Sequence, residues 1–237
     1  LSDISTTAKP AYGIVKSIAD IDEAIKPIEM GTDRGEIAPP DDIPTKDDLP
    51  LPEGMAPVFA IAGDVNLDGT RDGQIAIEHS KDMEIAEGTI AFSFKADKVD
   101  GWDALFSKDA SGYVTGGHLT AWVTDGGDIK VRFQDETGSL WLKAEDVFEV
   151  GKEHEFAFTF GDDGAVLYVD GVAVAEDDAF ESDWLGNEEY LMIGANGWSS
   201  PSGEIGWTGN HFDGVISDFT VLDQQLDQEQ ISNNLFV

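Results

Sequence analysis

The sequence has no cysteine among its 237 residues. Disulfides, thiolate metal sites and cysteine nucleophiles are therefore all excluded. Basic residues are scarce as well, because 14 Lys and Arg stand against 48 Asp and Glu, for a formal net charge of -34 at pH 7. A field of this sign repels nucleic-acid phosphates and anionic lipid headgroups, so we expect neither as a partner.

Long apolar runs and catalytic motifs are also missing. No stretch approaches the roughly 20 apolar residues that a membrane span needs, so we expect no membrane insertion. No Gly-x-Ser-x-Gly elbow, phosphate loop or paired-histidine metal motif occurs. Several of the best-known sequence signatures of catalysis are thus absent.

The chain does contain enough apolar material for a folded core, with 41% hydrophobic and 10% aromatic residues. Wholesale disorder is not expected at this composition. Acidic surfaces attract divalent cations and keep a protein soluble in salt. We therefore expect calcium as a structural cofactor and an extracellular or surface-exposed location.

Proline usage divides the chain. Eight of the nine prolines lie between Pro10 and Pro57. This predicts an N-terminal proline-rich arm over residues 1–57 and a folded domain over residues 58–237.

Within the arm, isoleucines recur at helical spacing: Ile14, Ile18, Ile21 and Ile25. Ser17 with Asp20 forms a capping-box pattern, so the arm is predicted to contain one short amphipathic helix that ends at Pro27. Two roles for the arm stay open. It is a semi-rigid linker, or an anchor that docks on a protein partner or on its own domain.

Beyond the arm, apolar and polar residues alternate with a period of two, as in residues 88–94 and 156–160. Turn signals rich in Gly and Asp separate such runs, at residues 125–128, 136–138, 162–164 and 170–171. Short strands punctuated this regularly predict an all-β fold, a two-sheet antiparallel jelly-roll sandwich. One helical turn is expected after Asp227.

Five segments carry a family pattern. They are Asn66-Leu67-Asp68-Gly69 with Asp72-Gly73, Glu87-Gly88-Thr89-Ile90-Ala91-Phe92-Ser93-Phe94-Lys95, Leu167-Tyr168-Val169-Asp170-Gly171-Val172, Leu191-Met192-Ile193-Gly194, and Phe212-Asp213-Gly214-Val215-Ile216 continuing to Leu226. In this order they resemble the laminin G-like and concanavalin A-like lectin/glucanase domains, from about residue 66 to 231. One departure is Ser217, where the family usually has Asp. The resemblance implies a jelly-roll sandwich, often with calcium, that binds glycans or proteins.

Enzymes of this fold need catalytic motifs that do not occur in this sequence. Glu84-Ile85-Ala86-Glu87 lacks the middle acid of the hydrolase Glu-x-Asp-x-x-Glu motif. A lyase would need a catalytic Tyr and His in a basic, aromatic cluster, and no motif joins the histidines and tyrosines. These are His79, His118, His154, His211, Tyr12, Tyr113, Tyr168 and Tyr190. We expect a non-catalytic domain, with a glycan hydrolase or lyase as the least favoured alternative.

Residues 64–69 have the first half of a calcium-loop pattern, with Asp64, Asn66 and Asp68 at alternate positions before Gly69. Asp72 falls at the ninth position of such a loop. The twelfth position is Ile75 rather than a bidentate acid, so an EF-hand does not fit. One prediction is a calcium ion held by Asp64, Asn66, Asp68 and Asp72; the other is a loop of solvated carboxylates.

A meander from His118 to Lys143 is predicted to carry one polar and aromatic face. Its outward set comprises His118, Trp122, Lys130, Arg132, Gln134, Trp141 and Lys143. A three-residue hairpin loop places Trp122 opposite Arg132 and Thr124 opposite Lys130. The next turn places Arg132 opposite Trp141.

Sugar rings stack on exposed indoles, and cationic side chains recruit carboxylates or sulfates. An anionic polysaccharide is therefore the predicted ligand of this face. The same pattern also fits a cation–π row that only decorates the sheet, or a face covered by the arm. Trp198 and Trp207 predict a second aromatic site at a rim, with packing onto the core edge as the alternative.

The sequence thus predicts a non-catalytic, extracellular carbohydrate-binding or adhesin-type domain that calcium stabilises. A second hypothesis is a structural surface subunit of a virion, filament or outer layer. In that case the arm would be the assembly element.

Overall fold

The structure, a computed structural model, describes residues 56–110, 116–199 and 203–234 and the backbone of residues 14–15. The strands in these ranges are β1 (Ile14–Val15), β2 (Pro57–Asp68), β3 (Ile75–Ile77), β4 (Gly88–Lys98), β5 (Trp102–Lys108), β6 (His118–Thr124), β7 (Ile129–Gln134), β8 (Ser139–Ala144), β9 (Glu153–Gly161), β10 (Gly164–Val169), β11 (Val172–Asp177), β12 (Leu191–Ile193), β13 (Asn196–Ser199), β14 (Ile205–Gly209) and β15 (Asp213–Leu222). Helix α1 spans Gln228–Asn234, and a 3₁₀ turn spans Lys81–Met83.

The strands form two large sheets and one separate hairpin. Sheet A has the order β1-β3-β12-β5-β6-β7-β8, and sheet B has the order β11-β10-β9-β4-β15-β2. Among the described strands, β13 and β14 pair only with each other. Neighbouring strands run antiparallel in both sheets, apart from the parallel pair β1–β3. The predicted jelly-roll sandwich is confirmed.

Aromatic rings from both sheets fill the space between them. The Phe92 ring of sheet B stacks on Phe156 at 4.7 Å and on Phe219 at 5.2 Å between centroids. Phe106 of sheet A meets Phe92 edge-on at 5.8 Å. All four rings are almost completely buried. This cluster ties the sheets together, because each buried ring removes a large apolar area from water.

Helix α1 covers part of the outer face of sheet B. Ile231 and Leu226 pack there against Ala91, Ala157 and Tyr168. Asp227 caps the helix, because its carboxylate accepts from the Gln230 backbone N–H while the Gln230 side chain accepts from the Asp227 N–H, both at 2.9 Å. The helical turn predicted after Asp227 is confirmed. Within the described ranges, no helix has the length and apolar character needed to cross a membrane.

Of the predicted N-terminal arm, the structure describes residues 14–15 and 56–57. β1 pairs with the edge of sheet A, with Ile14 opposite Ala76 and Val15 opposite Ile77. Ile14 therefore lies in a strand and not in the predicted amphipathic helix. The other positions of that helix, and the proline-rich segment before residue 56, lie outside the described residues.

Candidate functional site

The outer face of sheet A carries the outward set of the meander. Leu119, Ala121 and Val123 of β6 belong to the core, so the alternate residues of β6 point to the opposite side. Trp122 lies opposite Lys130, and Thr120 lies opposite Arg132. The predicted pairing of Trp122 with Arg132 is therefore wrong.

The error has a local cause. The Thr124 N–H donates to the Asp128 carbonyl at 2.9 Å, so residues 125–127 form the hairpin loop. Gly127 adopts φ 82° and supplies the left-handed residue with which such a loop closes. The register differs by two residues from the predicted one, and a shift of two leaves every side chain on its face.

On the next strand pair the predicted register is found. Arg132 lies opposite Trp141, and Lys130 lies opposite Lys143.

Three indoles meet on this face. Trp122 and Trp141 stack with ring centroids 5.7 Å apart and planes inclined by 16°. Trp102 stands edge-on to Trp122 at 5.9 Å and to Trp141 at 6.3 Å. Trp122 is only 4% exposed, whereas Trp102 is 40% and Trp141 49% exposed. We call Trp102, Trp122 and Trp141 the tryptophan platform.

Trp102 was not among the residues predicted for the site. It begins β5 directly after Gly101, which has a left-handed φ of 84°. The Asp100-Gly101 turn signal could have indicated a new strand there. The sequence could not predict which residue of β6 lies beside Trp102, because a bulge between Ala104 and Phe106 shifts the β5–β6 register.

Two cations lie over the platform. The Lys130 ammonium is 4.0 Å from the Trp102 ring centroid. The Arg132 guanidinium carbon is 5.5 Å from the Trp122 centroid and 5.9 Å from that of Trp141. All three distances are within the range of cation–π attraction.

Carboxylates balance these cations. Arg132 Nη2 lies 2.5 Å from Oδ2 of the buried Asp109. Asp128 Oδ2 lies 3.9 Å from Lys130 Nζ and 3.4 Å from Lys143 Nζ. Burial raises the pKa of the Asp109 carboxyl, and the Arg132 charge opposes that shift. Glu145 Oε1 lies 2.5 Å from Lys143 Nζ, so three carboxylates pair with the three cations beside the platform.

Three predicted members of the face are buried: Trp122, against which Trp102 and Trp141 pack, and also His118 and Gln134. His118 is 1% exposed and Gln134 is also buried. The segment around Asn187 closes over this end of the sheet: the Asn187 amide donates to the Gly117 carbonyl at 2.6 Å and lies 3.4 Å from His118 Nδ1. The expectation that His118 and Gln134 flank an open face is wrong, because both side chains are buried and the segment around Asn187 lies against His118.

The second predicted aromatic site lies on the β13–β14 hairpin. Trp198 and Trp207 are a cross-strand pair whose rings stack at 4.4 Å and 25°. Trp207 is 41% exposed, and Trp198 is half-buried. We call these two residues the hairpin pair.

The predicted calcium loop is not a loop. Asp64, Asn66 and Asp68 all lie on β2 as alternate residues of one strand. Asp64 accepts from Ser217 Oγ at 2.7 Å. Asp68 accepts from the Thr70 hydroxyl at 2.7 Å, and this bond lowers the pKa of Asp68.

Asp72 follows the strand end, and its N–H donates to the Thr70 hydroxyl. Across the described ranges, no three or more His, Asp or Glu side chains are grouped so that they could hold a metal ion. The residues predicted for calcium therefore do not fit a calcium site.

A family model described as the concanavalin A-like lectin/glucanases superfamily matches residues 68–232. No curated protein sequence matches the chain. Among solved structures, the CBM40 of the Ruminococcus gnavus IT-sialidase bound to α2,3-sialyllactose matches with a TM-score of 0.58 at 14% identity, over 75% of this chain and 98% of that one.

Two further structures are similar. The NanB sialidase of Streptococcus pneumoniae, as its K499G mutant, matches with a TM-score of 0.60 at 18% identity, over 75% of this chain but only 28% of that one. The heptameric SAP-like pentraxin of Limulus polyphemus matches with a TM-score of 0.53 at 15% identity, over 72% of this chain and 80% of that one. At these identities the likeness concerns the fold.

Proposed function

Because the chain belongs to the concanavalin A-like lectin/glucanase superfamily, we propose that it is a non-catalytic glycan-binding domain. The observation that carries this proposal is the tryptophan platform. Trp102 and Trp141 present large indole surfaces to solvent, and their contacts with each other and with Trp122 hold them in place. Aromatic surfaces ordered before binding lose little conformational entropy when a sugar ring stacks on them.

We further propose that the glycan carries carboxylates. Only 14 basic residues occur in the chain, and Lys130, Arg132 and Lys143 all lie beside the platform. Lys130 and Lys143 would exchange their contacts with Asp128 or Glu145 for contacts with a ligand carboxylate. The CBM40 structure with sialyllactose supports this choice, since that ligand contains an acidic sugar and that fold is the same.

An extracellular location and calcium stabilisation stay predictions. They rest on the acidic composition and on the family, not on any residue of the described ranges. A thermal melt in calcium and in excess chelator tests the second of them. An equal midpoint in both solutions would contradict it.

The binding experiment uses a panel of neutral, uronic, sialylated and sulfated glycans. We expect carboxylated members to bind, and Trp141→Ala to weaken binding about tenfold, which is about 1.4 kcal/mol. Val172→Ala is the matched control, because Val172 is exposed on β11 of the other sheet. A folded wild-type protein that binds no glycan would contradict the proposal. New reducing ends in the same incubations would contradict the non-catalytic assignment.

A structural surface subunit is the second candidate function. The observation that favours it is β1, which adds a strand from the arm to the edge of sheet A. Strand addition of this kind is one of the ways in which chains join to one another. Removal of residues 1–55 would abolish assembly under this hypothesis and would leave glycan binding intact under the first.

A further inference from the structure

The hairpin pair lies on the side of the molecule that carries the tryptophan platform. Phe106 is in the core, so its neighbour Ser107 points to the outer face of sheet A. Ser107 Oγ accepts from the Gly197 N–H and donates to the Ala195 carbonyl, both at 3.1 Å. The hairpin thus packs on the outer face, with Gly197 toward the sheet and the neighbouring Trp198 pointing away from it.

The hairpin is attached firmly to the platform and to its surroundings. The Asn210 amide, just after β14, donates to the Trp102 carbonyl at 2.8 Å, and the Ala104 N–H donates to the Asn210 carbonyl at 2.7 Å. Near its far end, the Ser199 N–H donates to a Glu189 carboxylate oxygen at 2.6 Å. The two aromatic clusters are therefore held in one fixed relation.

The indoles of the hairpin pair are ordered before any ligand arrives. The Trp207 ring lies against Gly209, where a Cβ would come within 2.4 Å of the ring. A residue with a side chain at position 209 would push the ring away from its partner. Like the tryptophan platform, the hairpin pair therefore offers a sugar ring an aromatic surface that is ordered before binding.

The surroundings of the two clusters differ in charge. Lys130, Arg132 and Lys143 lie at the platform, whereas Glu189 bonds to the hairpin and Glu204 directly precedes β14. Carboxylates beside the hairpin pair repel a carboxylate or a sulfate. The hairpin pair therefore suits an uncharged sugar unit.

We propose that the hairpin pair is a second stacking subsite, and that the ligand is a polysaccharide chain that crosses both clusters. A carboxylated unit lies at the platform and a neutral unit on Trp198 and Trp207. This proposal rests on the proposed glycan-binding function. The hairpin packs on Ser107 of β5, and Trp141 lies on β8, three strand spacings or about 14 Å away, so a single sugar unit cannot stack on Trp141 and on the hairpin pair at once.

The test compares the carboxylated monosaccharide and an octasaccharide of one polymer that the wild-type protein binds. Trp207→Ala should leave monosaccharide binding unchanged and weaken octasaccharide binding about tenfold or more, since the second contact is intramolecular once the first has formed. Trp141→Ala should weaken both. Val172→Ala is again the control, and thermal melts establish that each variant is folded.

Equal loss of both ligands in Trp207→Ala, or loss of neither, would overturn the proposal. If the variant does not fold, the indole N–H resonances of the wild-type protein provide the answer. Those of Trp198 and Trp207 should shift with the octasaccharide and stay in place with the monosaccharide; any other pattern overturns the proposal. Failure of wild-type protein to bind either ligand would instead remove the proposed function.

Discussion

At the tryptophan platform, single carboxylates decide how much positive charge a ligand meets. Asp128 lies within 4 Å of both Lys130 and Lys143, and it is shielded from solvent more than Lys143 is. Partly exposed ion pairs of this kind contribute little to stability, so their removal leaves the fold intact. Their removal does change the field in which a ligand binds.

We therefore expect Asp128→Asn to bind carboxylated glycans more tightly than the wild type, by a few-fold, and neutral glycans with unchanged affinity. The reason is that Lys130 and Lys143 lose an internal competitor for the ligand carboxylate. Calorimetric titration with a matched uronic and neutral pair measures this. Tighter binding of both glycans, or of neither, would show that these lysines do not read the charge of the ligand.

Lys108 is the least expected side chain in the molecule, because a lysine is rarely fully buried. Its ammonium donates to the carbonyls of Asn187 and Glu189, both at 2.7 Å, and to the Asn187 side-chain oxygen at 3.1 Å. His79 Nδ1 is a further neighbour at 3.4 Å. Burial lowers the pKa of Lys108 to about 7, against the opposing charges of Glu189, Glu84 and Glu188.

This pKa predicts a pH dependence with a definite sign. Between pH 7 and 10.5 the unfolded chain keeps a proton that folded Lys108 has lost, so the free energy of unfolding increases as the pH rises through that window. Relative to Lys108→Met, the wild type should gain on the order of 4 kcal/mol from pH 7 to 10, at about 1.4 kcal/mol per pKa unit.

Denaturant titrations of both proteins at several pH values measure this gain, because titrations shared by the two proteins cancel in the difference. A difference that stays constant with pH would show that Lys108 keeps its ordinary pKa in the fold. Lys108→Met also leaves three acceptors without their donor, so the variant is expected to be less stable at high pH by several kcal/mol.

The stack of the β13–β14 hairpin depends on one small residue, Gly209. Gly209→Ala should separate the rings of the hairpin pair, because the new methyl group would lie 2.4 Å from the Trp207 ring. Circular dichroism should lose the exciton signal of this pair and keep that of the stacked Trp122 and Trp141. Gly126→Ala is the control, since a Cβ there meets its nearest neighbour at an ordinary 3.7 Å. An unchanged spectrum in Gly209→Ala would show that the stack does not depend on Gly209.

For the β6–β7 hairpin, the sequence predicted the faces of the strands but not their register. Alternation placed Trp122, Lys130 and Arg132 on one face, and that part is confirmed by the pairing of the strands. The loop length was not readable from Asp125-Gly126-Gly127-Asp128, because two three-residue loops fit these residues and differ by two in register. The conformation of Gly127 decides between them.

The molecule as a whole is dominated by its net charge of -34. Self-repulsion of this size destabilises the compact state, and added salt screens it. The midpoint of thermal unfolding should therefore rise by several degrees between low salt and 1 M sodium chloride. Tetramethylammonium chloride should act equally, because screening does not depend on the identity of the cation. A rise seen only with calcium would indicate a specific site instead, and no rise in any salt would contradict the screening argument.

The sequence determined the architecture of the sandwich, the side of β6 and β7 that faces outward, and the capped helix after Asp227. These properties follow from local periodicity and turn chemistry, which depend on residues that are close together in the sequence. Only the tertiary structure decided that Trp102 joins the platform, that the segment around Asn187 covers His118, and that Asp64 to Asp68 form a strand. Each of these depends on contacts between residues far apart in the chain, and spacing along a sequence carries no information about them.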